Sequence, residues 1–112
     1  MFASKIRAAA GQAGVTVAFA RSKDTALTAV RETAPALVIL DLDNPRTDPL
    51  GTVTALKGDA STKAIRTVGF VSHVHTELID AARQAGVDDV LARSAFAARL
   101  VEILGADEIR RP

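Results

Sequence analysis

The sequence contains no cysteine, no tryptophan and no tyrosine. Without cysteine there are no disulfides, no thiolate nucleophile and no Cys-ligated zinc, and the expected setting is reducing and cytoplasmic. Without Trp or Tyr the usual ultraviolet absorbance is missing too. No apolar run reaches the ~18 residues of a membrane span. The opening MFASKIRAAA has one basic residue before Ile6 but no apolar stretch of the kind a leader peptide needs. Neither sign of charge dominates: 14 Lys and Arg stand against 13 Asp and Glu, a net charge of +1 with no long block of either sign. That balance argues against nucleic acid or a membrane surface as partner. Internal repeats, linkers and low-complexity segments are also missing.

What is present suits one compact domain over residues 1–112, 48% hydrophobic and 24% charged, with 4 prolines and 7 glycines as punctuation. Residues 2–13 place Phe2, Ile6, Ala9, Ala10 and Ala13 on one helical stripe, and Gly14 is a C-terminal stop. The β-branched run VTVAFA, Val15 to Ala20, predicts a short buried strand. Ser22 caps a second helix with Leu27 and Val30 inward, halted at Ala34-Pro35. LVILD, Leu37 to Asp41, is a second strand. Asp48-Pro49 opens a helix carrying Leu50, Val53 and Leu56. RTVGFVS, Arg66 to Ser72, predicts a third strand. Thr76 caps a helix with Leu78, Ile79, Ala82 and Ala85 inward, ended by Gly86. Val90 to Ala92 is a fourth, short strand, and Ser94 caps a last helix running through Leu100, Val101, Ile103 and Leu104 to Gly105. Asp88-Asp89 reads as the turn before the fourth strand.

The predicted order is αβαβαβαβα. Strands alternating with helices pair in parallel, because each crossover helix returns the chain to the same edge. The expected fold class is therefore α/β, an open parallel sheet with helices on both faces. In such sheets the ligand site lies outside the carboxyl ends of the strands. Asp41, Ser72 and Arg93 each stand at or just past such an end, so residues scattered over fifty positions should converge.

PALVILDLDNP, then FVS, then AGVDDVLARSAF resembles the receiver domain of two-component response regulators, a flavodoxin-like fold. The resemblance covers nearly the whole chain, which would open inside the first helix and lack the first strand. It implies that Asp41 is the candidate phosphoacceptor, with Pro45 in its expected place four residues on. Ser72 matches the hydroxyl residue ending the fourth strand of the family, Arg93 replaces the lysine ending the fifth, and Gly86 matches the glycine closing the fourth helix. The acidic pair that holds magnesium in the family has no counterpart here. Asp41 and Asp43 remain as magnesium candidates, and magnesium enters only if phosphoacceptor chemistry survives.

The resemblance therefore implies a truncated, degenerate pseudo-receiver that signals by protein-protein interaction, is not an enzyme, and has lost or weakened phosphotransfer. A kinase or another signalling protein is the implied partner, with Arg83, Gln84, Phe96, Arg99 and Glu102 as candidate contacts. The missing strand would leave a gap of about two strand spacings, ~9.6 Å, between the strands starting at residues 15 and 37. The chain either closes that gap into a four-stranded sheet or forms a homodimer through the slot or its edge strands. A functional phosphoacceptor at Asp41 is the alternative. A more remote one is a haloacid-dehalogenase-like phosphatase, in which Asp41 is the nucleophile and Asp43 the general acid/base. Against it, Pro45 stands where Thr or Val is expected, and 112 residues leave no room for a cap domain. The pair His73 and His75 falls short of a zinc site, and a solvated or helix-capping loop is the simpler reading.

Overall fold

A computed structural model describes residues 2–72 and 75–110, with side chains over 3–72 and 75–105. The elements run α1 (Phe2–Ala13), α2 (Lys23–Thr33), β1 (Leu37–Asp41), a 3-10 turn (Pro45–Thr47), α3 (Pro49–Gly58), β2 (Arg66–Val71), α4 (Thr76–Ala85), β3 (Asp89–Ala92), α5 (Arg93–Ala98) and α6 (Leu100–Arg110). They group into two compact units, one holding α1, α6 and residues 94–98, the other Phe19–Arg93.

The larger unit is an α/β layer. Its three strands are parallel and ordered β1-β2-β3, with Asp41 opposite Phe70 and Val71 opposite Ala92. The central strand β2 is buried at every residue after Arg66, as a parallel strand flanked on both sides should be. One core cluster joins Leu40, Leu42, Val53, Val71, Ala82 and Val87, packing α3 and α4 against the sheet; a second joins Leu27, Val30 and Leu56, where α2 meets α3. The starts of α2 and α3 and the end of α4 follow the sequence signals. The Ser22 side chain accepts from the Thr25 amide at 3.1 Å, the Asp48 side chain accepts from the Gly51 amide at 3.3 Å, and Pro49 fills the first helical position. Gly86 closes α4 with φ +113°, a left-handed backbone that favours glycine.

Three expectations need correcting. The run Val15–Ala20 forms no strand, and the described sheet has three strands where four were expected. Its β-branched residues give it propensity, but a strand exists only through ladder bonds to a neighbour, and no strand of the sheet supplies them. The last helix is two helices. The Arg99 amide donates to both Ala95 O and Phe96 O, a bifurcated bond that tightens the end of α5, and Ser94 lies inside α5 and does not cap it. Thr76 does not cap α4. His75 holds that position and makes no side-chain cap bond.

In the smaller unit α1 packs on α6. Ile6, Ala9 and Ala10 are buried on the expected stripe, with Leu100, Ile103, Leu104 and Phe96 buried in the same unit. Phe2 is helical as expected, though its side chain is outside the described set.

Two contacts lock the sheet. At the amino end of β2, the Asp88 carboxylate accepts from the Thr67 amide at 2.8 Å, the Thr67 hydroxyl at 3.1 Å and the Lys57 ammonium at 3.2 Å. Arg66 bonds Asp89 at 3.1 Å beside it. At the carboxyl end, Leu42 lies across Gly69. A Cβ built on Gly69 would stand 2.8 Å from Leu42 Cδ1 and 3.0 Å from its Cγ, so position 69 has no room for a side chain.

Gly69→Ala should cost about 1–3 kcal/mol, because Leu42 is itself buried and cannot swing clear. Urea denaturation checks this, and adding Leu42→Ala should change the stability by less than the sum of the two single effects. Asp88→Ala should cost about 1–3 kcal/mol near neutral pH, since it strips partners from the fully buried Thr67. Burial alone would raise the Asp88 pKa, but the Thr67 amide, the Lys57 ammonium and the Thr67 hydroxyl outweigh it and hold the group below its ordinary 3.8. Its contribution is therefore complete above 3.8 and lost as pH falls through the lower folded value. The wild-type advantage over Asp88→Ala should shrink correspondingly in acid denaturation curves.

Candidate functional site

The site lies at the carboxyl edge of the sheet in the larger unit. The strand pairing runs one residue beyond β1, because the Leu42 amide donates to Phe70 O at 3.0 Å while the Leu42 side chain is buried. Leu40 and Leu42 are both buried, and alternation along the strand turns Asp41, between them, away from that core, while Asp43 lies in the turn beyond it. A turn follows at once. The Asn44 amide donates to Asp41 O at 3.1 Å, and the Asp43 amide donates to Asp41 Oδ1 at 3.1 Å. The second is an Asx turn, in which a side-chain oxygen captures the amide two residues on.

Asp43 is the hub. Its Oδ2 accepts from the Ser72 amide at 2.9 Å and from Arg93 Nη2 at 3.1 Å. Its Oδ1 lies 2.7 Å from His75 Nδ1. Burial on its own would raise the Asp43 pKa, but the Ser72 amide, the His75 ring and Arg93 together outweigh it and hold the carboxyl below its ordinary value. An ionised carboxylate only accepts, so Nδ1 of His75 carries the proton of this bond. The guanidinium of Arg93 also stands over the Phe70 ring, 5.9 Å from its centroid, within cation-π range. A planar fork can lie on a ring and still reach sideways to a carboxylate, as the compact ammonium of lysine cannot.

Asp41 behaves oppositely. Burial pushes its pKa above the ordinary value, and only in part do the Asp43 amide and the charge of Arg93 pull it back. Asp41 is thus the carboxyl whose ionisation the surroundings oppose, and Asp43 the one they favour.

Asp41, Ser72 and Arg93 do converge where the parallel topology sends them. Arg93 makes an ion pair with Asp43, two residues past the strand-end acid. Ser72 contributes its amide. His75, read as half of a histidine pair or as loop, is bonded to Asp43, while His73 lies outside the described residues. The only sign of His75 in the sequence is its place three residues past Ser72, at the mouth of α4. Phe96 is fully buried and cannot serve as a surface contact. Arg99 pairs with Glu102 at 3.3 Å.

The residues present do not fit a magnesium site. Among the described residues no three potential ligands gather. Both oxygens of Asp43 are taken by hydrogen-bond donors, and a guanidinium beside them disfavours a second cation.

No family model and no curated protein matches the chain in sequence. Solved structures match it in fold. A response regulator from Chloroflexus aurantiacus aligns with a TM-score of 0.82 at 22% identity, over 96% of this chain and 88% of that one. The receiver domain of NtrX from Brucella abortus aligns with a TM-score of 0.77 at 21% identity, over 95% and 88%. The signal receiver domain of a histidine kinase from Syntrophus aciditrophicus aligns with a TM-score of 0.78 at 19% identity, over 99% and 86%. The chain therefore has the flavodoxin-like fold of response-regulator receiver domains, as the resemblance implied.

Arg93→Ala should raise the pKa of both carboxyls, since the guanidinium favours the charged form of each. Carboxyl-carbon NMR titration should show the Asp43 and Asp41 midpoints moving to higher pH in the variant, with Asp41 the higher in both proteins.

Proposed function

We propose that this chain is a receiver-type signalling domain that works by protein-protein contact, with phosphotransfer to Asp41 lost or weak. The observation that carries the reading is the state of Asp43. A receiver phosphorylates an aspartate with magnesium neutralising the phosphoryl oxygens, and Asp43, the acid two residues past Asp41, is already neutralised by Arg93, His75 and the Ser72 amide. Asp41 itself is well placed at a strand end, yet its charge is disfavoured by burial.

The same bonds weigh against phosphatase chemistry. A general acid/base must exchange protons near the working pH, and Asp43 is held ionised in a closed set of partners. The domain is not an enzyme on this reading. It acts in the cytoplasm, its partner is a kinase or another signalling protein, and it engages neither nucleic acid nor membrane. None of its described helices is long and apolar enough to cross a bilayer. In the larger unit the polar face of α4, with Glu77, Asp80, Arg83 and Gln84 exposed, is the contact surface we favour. A homodimer through the edge strand β1, whose Val38 and Ile39 are only half-buried, is the competing mode of association.

Intact mass spectrometry after incubation with magnesium and a small-molecule phosphodonor tests the reading, with Asp41→Asn alongside and an active receiver as control. The expected result is no phosphoryl adduct on the wild type under conditions that label the control. An adduct that Asp41→Asn lacks would overturn the reading and establish Asp41 as a working phosphoacceptor.

A further inference from the structure

Three donors from three separate places in the chain meet on one carboxylate: the Ser72 amide just past β2, the Arg93 guanidinium just past β3, and the His75 ring at the start of α4. A guanidinium, a main-chain N–H and an imidazole N–H converging within 3.1 Å of a common anion are what an oxyanion receptor consists of. Here the anion comes from the chain itself. The exposure of the parts is uneven in an informative way. The Asp43 side chain is 18% exposed, whereas those of His75 and Arg93 are 50% and 51% exposed, so the donors face solvent around a largely covered acid. With the Asp43 carboxylate gone, the half-exposed imidazole and guanidinium would still face solvent at the edge of the sheet that carries Asp41.

We propose that this corner is an oxyanion-binding site that Asp43 fills as an internal plug. The Asx turn holds the plug in place: the Asp43 amide is held by Asp41 Oδ1, Leu42 between them is anchored in the core, and the Asp43 carboxylate is bonded in this corner. An external oxyanion such as phosphate must displace a carboxylate tethered beside its donors, which acts at high effective concentration. The plug thus deepens and rests on the proposed reading of the domain as silent in phosphotransfer. It gives a physical cause for that silence: the groups that would receive an oxyanion next to Asp41 are occupied before any arrives.

The test is titration of the wild type, Asp43→Ala and Asp43→Ser with inorganic phosphate at constant ionic strength, following the Ser72 amide in proton-nitrogen correlation spectra. The expected result is no saturable shift in the wild type, and in the neutral variants saturable binding with a midpoint at least about tenfold below the highest phosphate concentration used, lost again when Arg93→Gln is added. Equal responses in the wild type and a folded neutral variant would overturn the plug. The spectra report folding directly. Should both variants unfold, a saturable shift of the wild-type Ser72 amide overturns the proposal, and its absence across millimolar phosphate supports it. The phosphodonor experiment is a separate arm. A labelled wild type defeats the silent reading whatever phosphate does, and an unlabelled wild type with an unresponsive, folded Asp43→Ala defeats the plug alone.

Discussion

Leu42 packed across Gly69 is the contact from which the carboxyl edge of the sheet is organised. Its amide extends the β1-β2 ladder one residue past Asp41, and its side chain fills the space where residue 69 has none. An apolar residue set between two acids gives each acid a definite direction, because the middle one is committed to the core. The Asx turn then spaces the acids, so that Asp41 stays at the tip of its own strand while Asp43 reaches across β2 to the end of β3. Without a glycine at 69 Leu42 could not seat. Without Leu42 seated, the Asp43 carboxylate would have no fixed path to Ser72, His75 and Arg93.

The two ends of β2 are solved alike. At one, Asp88 gathers Thr67 and Lys57; at the other, Asp43 gathers Ser72, His75 and Arg93. In both, a partly buried acid is held ionised because donors outweigh the cost of desolvation. Each cluster joins segments far apart in sequence, so together they fix the strands' register at both edges while the apolar clusters fill the middle. Lys57 contributes twice over, since its ammonium also donates to Lys63 O and Ile65 O in the turn leading into β2. Gly86 leaves room for its stem, a Cβ there coming within 2.8 Å of Lys57 Cγ.

Much of this was legible in the residues. Apolar runs between turn signals marked β1, β2 and β3, and the parallel order followed from the intervening helices, so the meeting of Asp41, Ser72 and Arg93 at one edge could be anticipated. The choice of partners could not. Whether Arg93 bonds Asp41 or Asp43 depends on a turn of two residues whose geometry is set by Leu42 and Gly69 across the sheet. His75 carried no mark of its own, because histidine is equally at home in a loop or a cap. The run Val15–Ala20 had strand composition, but propensity says nothing of whether a neighbour is present to pair with it. The family resemblance alone puts Phe96 among the contact residues, and it is fully buried, because which side of a short helix is covered depends on packing that the sequence pattern does not show.

Asp41 remains the residue that packing does not explain. Burial disfavours its charge, the Arg93 guanidinium that pulls the other way is also bonded to Asp43, and its own Oδ1 holds the Asp43 amide. A neutral asparagine could make that same bond, because its side-chain oxygen accepts equally well. The carboxylate at this position is therefore a net cost to the folded state at neutral pH: its folded pKa lies above the ordinary value, so ionisation is easier in the unfolded chain. A group that weakens its own fold belongs to what the edge of the sheet presents and not to what holds it together. On that argument what the edge of the sheet presents at Asp41 is set by the donors around it, and the Ser72 amide, His75 and Arg93 are bound to Asp43.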